Sequence, residues 1–184
     1  DDDELMSMMV RAGFDCVFIG IESPDDESLA ECNKMQNTGR DIVECIKKIQ
    51  QSGLQVQGGF IVGFDSDKPA VFDKLIDLIQ NSGIVTSMVG LLNAPRGTEL
   101  FKRLLTENRL SQIPTGDNTD NSINFIPKMD MQELLTGYRK VIKTIYSQKY
   151  FCRRIKTFLK NYKVIKTNRL KIKFCDIMAF VKSI

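Results

Sequence analysis

At 184 residues, with 42% apolar and 27% charged side chains, the chain suits one folded domain, or one with a small appendage, and excludes a disordered or collagen-like reading. Its net charge of +3 hides an asymmetry: residues 149–184 carry eleven Lys or Arg against one acid, net +10, whereas residues 1–148 carry fifteen against twenty-two, net −7. Histidine is absent, and the five cysteines (Cys16, Cys32, Cys45, Cys152, Cys175) form no CxxC pair, so a zinc site, a Ser-His-Asp triad and a Cys-His dyad all lose their usual base or ligand.

The chain opens on DDDELM, which is unlike a signal peptide, and no apolar run approaches the ~20 residues of a membrane span, so a cytoplasmic protein with reduced thiols is expected. Cys16 and Cys45 read as small buried apolar groups. ELMSMMVRAG reads as a helix entering the first apolar run, CVFIGI (16–21); LQVQGGFIVGF (54–64) and IVTSMVGLL (84–92) follow, each succeeded by an amphipathic pattern. Short, continuous, β-branched runs alternating with helices predict parallel strands covered on their faces. Ser23 with Pro24 and Asp26, and Thr38 with Asp41, read as capped helix starts; Pro69 opens the next helix and Thr98 a fourth, while Gly53 and Gly83 supply stops. From about 111 to 127, SQIPTGDNTDNSINFIP predicts a loop or linker. Leu134, Leu135, Tyr138, Val141, Ile142 and Ile145 then mark one helix, and Phe151, Ile155, Phe158, Leu159 and Tyr162 another. The predicted organisation is 1–110 α/β, 111–130 linker and 131–184 basic helical domain.

In parallel α/β folds, ligands bind at the carboxyl ends of the strands. Those ends are GIES (20–23), GFDSD (63–67) and LLNAPRGT (91–98). Glu22 and Ser23 can accept from a vicinal diol; the plain alternative is a loop acid and an N-cap. Gly59 and Gly63 can admit a ligand to the backbone beside a flat apolar Ile61, or simply belong to a core strand whose Asp67 caps the next helix. Asn93 sits in a turn that reads equally as a connection, and Lys34 either reaches a ligand carboxylate or is solvated. The basic tail admits nucleic acid, an anionic membrane surface or a solvated face. It has no RNA-recognition signature and its aromatics fall at helical spacing, so a helix with a solvated basic side is expected, nucleic acid is disfavoured and a membrane surface stays open.

GFDCVFIGIESPDDESL, GGFIVGFDSDKPAVFDKLIDLIQNSGI and MVGLLNAPRGTELFKRL, in that order, resemble the second half of the radical S-adenosylmethionine core, in the cobalamin-dependent subgroup that includes hopanoid methylases and iron–sulfur oxidoreductases. NFIPKMDMQELLTGYRKVIKTIY and YFCRRIKTFL resemble its helical C-terminal region. The resemblance implies a partial (β/α)6 barrel of the TIM type, truncated here to its last three strands and followed by an α-helical appendage. It implies that Glu22 and Ser23 face the ribose, that Ile61 packs near the adenine within the Gly59–Gly63 strand motif, that Asp67 takes the acid's place in a GFPGE-type turn, that Asn93 opens the last turn and that Lys34 stands near the methionyl carboxylate. It further implies an enzyme that cleaves S-adenosylmethionine reductively at a 4Fe-4S cluster, abstracts a hydrogen from a small-molecule substrate and, in the methylases, relays a methyl group through cobalamin.

The family's Cys-x-x-x-Cys-x-x-Cys occurs nowhere in the chain. The missing N-terminal half is therefore an expected partner, no cofactor is expected to bind tightly to this chain alone, and it is expected to be inactive. A bare edge on the first strand predicts self-association, or cover by another copy or the terminal helices. The competing expectation is a non-catalytic α/β interaction module whose tail binds RNA or an acidic partner.

Overall fold

The computed structural model describes residues 2–111 and 123–164. Most of the predicted linker and the basic tail from 165 onwards, with Cys175, lie outside the described residues. Three parallel strands, β1 (Cys16–Glu22), β2 (Gln55–Val62) and β3 (Thr86–Leu91), form one sheet in the order β1-β2-β3. Around them run α1 (Asp3–Ala12), α2 (Asp26–Glu31), α3 (Ile42–Gln51), α4 (Val71–Ser82) and α5 (Glu99–Thr106), then α6 (Met131–Ile145) and α7 (Gln148–Asn161). The fold is α/β, a partial open sheet followed by helices. No described helix is long and apolar enough to cross a membrane.

The helix starts depart from expectation in a consistent way. Asp25, not Ser23, caps α2, its side chain accepting from Glu27 N, and Asp41, not Thr38, caps α3 by accepting from Glu44 N. Each acid lies within the predicted capping segment, and its carboxylate holds the amide better than the hydroxyl does. The α4 cap is Ala70, without a side-chain bond, so Pro69 precedes the helix and Asp67 does not cap it. Thr98 caps α5 as predicted, accepting from Phe101 N. Gly83 ends α4 at φ 71, and a side chain there would strike the backbone of Phe158 in α7.

Only one face of the sheet is covered within the described residues, against the expectation of cover on both. Ile21, Val56, Phe60, Val62 and Val89 are buried with Phe72, Leu75 and Ile79 of α4 and with Leu134, Val141 and Ile145 of α6 in one core. The opposite face presents Phe18 and Met88, 59% and 63% exposed. Strand β2 alternates strictly between partly exposed and buried residues, with Gln55, Gln57, Gly59 and Ile61 on the open side. The two faces were hard to separate in sequence because glycine on the open side carries no polarity signal.

The two sheet edges differ. On the outer edge of β3, Tyr146 Oη donates to Ser87 O at 2.8 Å and accepts from Ser87 N at 3.3 Å, while Tyr138 Oη donates to Val89 O at 3.3 Å. These α6 tyrosines satisfy the strand from the side. Among the described residues, no hydrogen bond from another element similarly covers β1 between Cys16 and Gly20.

Helix α7 is anchored by a residue expected on its solvated side. Arg154 is fully buried: Nη1 donates to Ile145 O at 2.7 Å and Gln80 Oε1 at 3.0 Å, and Nη2 to Val85 O at 2.9 Å. Its guanidinium lies near the Tyr146 and Phe151 rings, 5.6 and 5.5 Å from their centroids. Leu159, expected on the apolar stripe, is 64% exposed. Cys16 and Cys45 are only partly buried, and Cys152 is exposed.

Candidate functional site

The end of β1 is irregular. Ile21 is an extra residue between the Gly20–Gly59 and Glu22–Phe60 pairs, a bulge of the kind that re-aims a side chain. Glu22 follows at φ 71, and Ser23 N donates to Ile21 O at 3.0 Å across it, closing a γ-turn. A positive φ at a non-glycine residue is a strained conformation that a site can retain. The Glu22 side chain folds back over Gly20, where an added Cβ would lie 2.5 Å from Glu22 Oε1, and pairs with Lys34 Nζ at 3.4 Å. The structure thus joins two residues predicted separately.

Register places Gly20, Gly59 and Met88 side by side, and Ile61 beside Gly90. Gly20, Gly59 and Gly90 leave three positions of the open face without a side chain of their own, the Glu22 carboxylate lying over Gly20 and the Phe18 ring over Gly59. The result is a trough of about 400 Å³, with Phe18 at one end and Glu22, Ile61 and Asn93 towards the other. A Cβ at Gly90 would meet nothing within 4 Å, so that part of the floor is open; at Gly59 it would touch the Phe18 ring.

The other predicted residues support this end of the sheet. Ser23 is buried and its Oγ accepts from Asp25 N, which shapes the turn after Glu22. Gly63 adopts φ 107, a Cβ there would meet Leu134 and Leu92, and Gly63 is not among the residues that line the trough. Asp67 reaches back across that turn: Oδ2 accepts from Gly63 N at 2.7 Å and Phe64 N at 3.1 Å, and Oδ1 from Ser28 Oγ at 2.8 Å. Burial pushes the Asp67 carboxyl up, while these donors pull it down. Asn93 Oδ1 accepts from Asn124 N, and Asn124 pairs both ways with Ala94, its Oδ1 accepting from Ala94 N and its Nδ2 donating to Ala94 O, each at 2.9 Å. Asn124 was hidden in the predicted linker; the Ile123-Asn124-Phe125 alternation was its available signal.

A second depression adjoins the first, a cleft of about 750 Å³ that shares Leu92, Asn93 and Pro95 with the trough. Its charged lining is Glu31, Glu99 and Arg103, none of them singled out in sequence, and ion pairs with Asp65 and Arg109 adjoin it. Arg109 grips Asp65 with both Nη atoms at 2.8 and 2.6 Å, and Arg103 Nη2 contacts Glu31 Oε1 at 2.8 Å and Asp65 Oδ2 at 3.2 Å. Arg109 holds the Asp65 carboxyl below its ordinary value of 3.8. Because the folded-state pKa is the lower one, Asp65 contributes stability that is complete above about pH 4 and is lost as pH falls through the folded value. Urea titrations from pH 6 to 3 should show this acid limb, flattened in Arg109→Gln; an unchanged slope would contradict the assignment.

No described group of three or more His, Cys, Asp or Glu is arranged to hold a metal ion. The free thiols Cys16, Cys32, Cys45 and Cys152 stand apart in sequence, and burial pushes Cys16 and Cys32 up, which disfavours the thiolate a cluster requires. The trough offers apolar walls and a few polar groups, whereas the four described thiols form no group that could hold a 4Fe-4S cluster.

Comparison with known proteins converges on methyl transfer. The chain is 37% identical over 162 residues to the uncharacterized methyltransferase sll1242 of Synechocystis sp., an alignment covering 87% of this chain and 30% of that protein. It is 33% identical over 123 residues to the hopanoid C-2 methylase of Rhodopseudomonas palustris, covering 67% of this chain and 23% of the methylase. The chain is homologous to methyltransferases over part of their length. A further relative is the bacteriochlorophyllide d C-12(1)-methyltransferase of Chlorobaculum tepidum, at 25% identity over 144 residues, 78% of this chain and 31% of that enzyme. The chain therefore spans less than a third of each of these relatives. Residues 98–184 separately match a family described as Domain of unknown function (DUF4070).

Proposed function

We propose that this chain is the second half of the barrel, with the helices that follow, of a radical S-adenosylmethionine methyltransferase, and that the open face of its sheet is the adenosyl wall of the cofactor site. The carrying observation is the set of glycines on that face, Gly20 beside Gly59 and Gly90 beside Ile61, with the Glu22–Lys34 pair at the carboxyl end of β1. A flat ring can approach the backbone where no Cβ stands, and Ile61 offers it an apolar surface. Glu22 accepts from the ribose hydroxyls, and Lys34 turns to the carboxylate of the methionyl group. Ser23, Asp67 and Asn93 fix the loops that carry these groups. S-adenosylmethionine bound there is the group donor, with a 4Fe-4S cluster and cobalamin supplied by residues outside this chain. Methyl transfer is the reaction class because the relatives named above are methyltransferases.

The outer edge of β1, uncovered among the described residues, is where the preceding strand of the barrel adds in this reading, and the tyrosine-covered edge of β3 is where the sheet ends. Two experiments test the reading. Anaerobic treatment of the 184-residue chain with iron and sulfide should yield no stoichiometric cysteine-ligated cubane; obtaining one would place the cluster site here and overturn the assignment. With the segment joined to a cluster-binding half, Glu22→Ala and Ile61→Asp should each weaken S-adenosylmethionine binding about tenfold or more with the fold preserved. Unchanged affinity in both would instead favour a non-catalytic interaction module.

A further inference from the structure

We propose that the cleft between Cys32–Asn33 and Thr98–Arg103 is a second binding site, for a molecule with an apolar body and a carboxylate that reaches Arg103. Its volume, about 750 Å³, is within the range of organic-ligand sites, and Phe64, Leu92, Pro95 and Leu100 give it apolar walls. The polar groups are distributed unequally. Of the two acids on its lining, Glu31 is already engaged by Arg103 and by the Ser66 amide and hydroxyl, and Glu99 by Lys102. Arg103 makes both its acid contacts through Nη2, and among the described residues no protein acceptor meets Nη1 or Nε. Asp65 does not depend on Arg103 alone, because Arg109 grips both of its oxygens.

The guanidinium is therefore held in place by two carboxylates while it keeps donors to offer. Little side-chain freedom is lost when a ligand arrives. Cys32 also lines the cleft, its Sγ donating to Leu29 O at 3.4 Å, and burial pushes its thiol up, which disfavours the thiolate. Leu92, Asn93 and Pro95 are shared with the trough, so an occupant lies beside whatever the trough holds. That this occupant is the methyl acceptor rests on the cofactor reading above; that the cleft binds such molecules does not.

The test uses the full 184-residue chain with labelled Leu and Ile methyls, titrated with decanoate, decanol or decylammonium below their aggregation limits. Saturable shifts at Leu92 and Leu100 are expected, with decanoate binding about tenfold more tightly than the other two. Arg103→Gln should abolish that preference while the decanol affinity stays as it was. Should the variant fail to fold, nuclear Overhauser contacts in the wild type between the decanoate C2 protons and the Arg103 side chain provide the same information. Equal affinities for the three probes, shifts confined to other sites, or a carboxylate end without contact to Arg103 would overturn the proposal. Glu22→Ala acts on the trough and should leave decanoate binding unchanged; decanoate binding without any S-adenosylmethionine response would retain this site and discard the cofactor reading.

Discussion

Arg154→Ala is expected to destabilise the chain by about 3–5 kcal/mol, measured as a lower urea midpoint at constant m-value. The residue is a fully buried cation without a carboxylate partner, held by Ile145 O, Val85 O and Gln80 Oε1. Each acceptor belongs to a different part of the fold: the C-terminus of α6, the entry to β3 and the buried side of the last turn of α4. Truncation leaves three acceptors unpaired and a cavity beside Tyr146 and Phe151. Burial also lowers the arginine's own proton affinity, the direction set by desolvation, which the neutral acceptors work against. Arg154→Lys should recover only part of the loss, because an ammonium cannot span acceptors that the planar fork meets on both Nη atoms. A midpoint within experimental error of wild type for Arg154→Ala would refute this anchoring role.

Asp67→Ala should follow, at roughly 2–5 kcal/mol, because two buried amides, Gly63 N and Phe64 N, lose their acceptor together with Ser28 Oγ. The effect should be local as well as global. Gly63 holds φ 107 and carries the chain from β2 into the loop, so losing the carboxylate releases the turn that presents Phe64 to the cleft. Asp67→Asn preserves an acceptor for the two amides and should be far milder, and hydrogen exchange at Gly63 and Phe64 separates the two variants. Fast exchange in Asp67→Asn and protection in Asp67→Ala would reverse the assignment.

How much of this was readable in the sequence depended on which atom carried the signal. The strands were legible because CVFIGI, FIVGF and IVTSMVGLL concentrate β-branched residues between helix caps, and their order and parallel pairing follow. The caps were displaced by a few residues, since Ser23 and Asp25, or Thr38 and Asp41, are all competent, and only backbone geometry selects the acid. Asp67 was misread as a cap because its real partners lie three and four residues before it, across a turn that only Gly63's positive φ makes. The Glu22–Lys34 pair was invisible because the bulge at Ile21 and the γ-turn that aim Glu22 leave no pattern in composition. Arg154 fell on the inward helical phase with Phe151 and Phe158, and its charge argued it outward. The cleft depended on Arg103, Arg109, Glu31 and Asp65, charges distant in sequence that only the packing of α5 brings together.

The central claim, that the glycine-floored face of the sheet receives the adenosyl group, is tested most directly by titrating the 184-residue chain with S-adenosylmethionine and following its backbone amides and methyls by nuclear magnetic resonance. With half of the site present, binding on the order of millimolar is predicted. Saturable shifts should be centred on Gly20, Gly59, Gly90 and the Ile61 methyls, and Ile61→Asp should remove them. No response at those four residues, or one that Ile61→Asp leaves intact, would contradict the account.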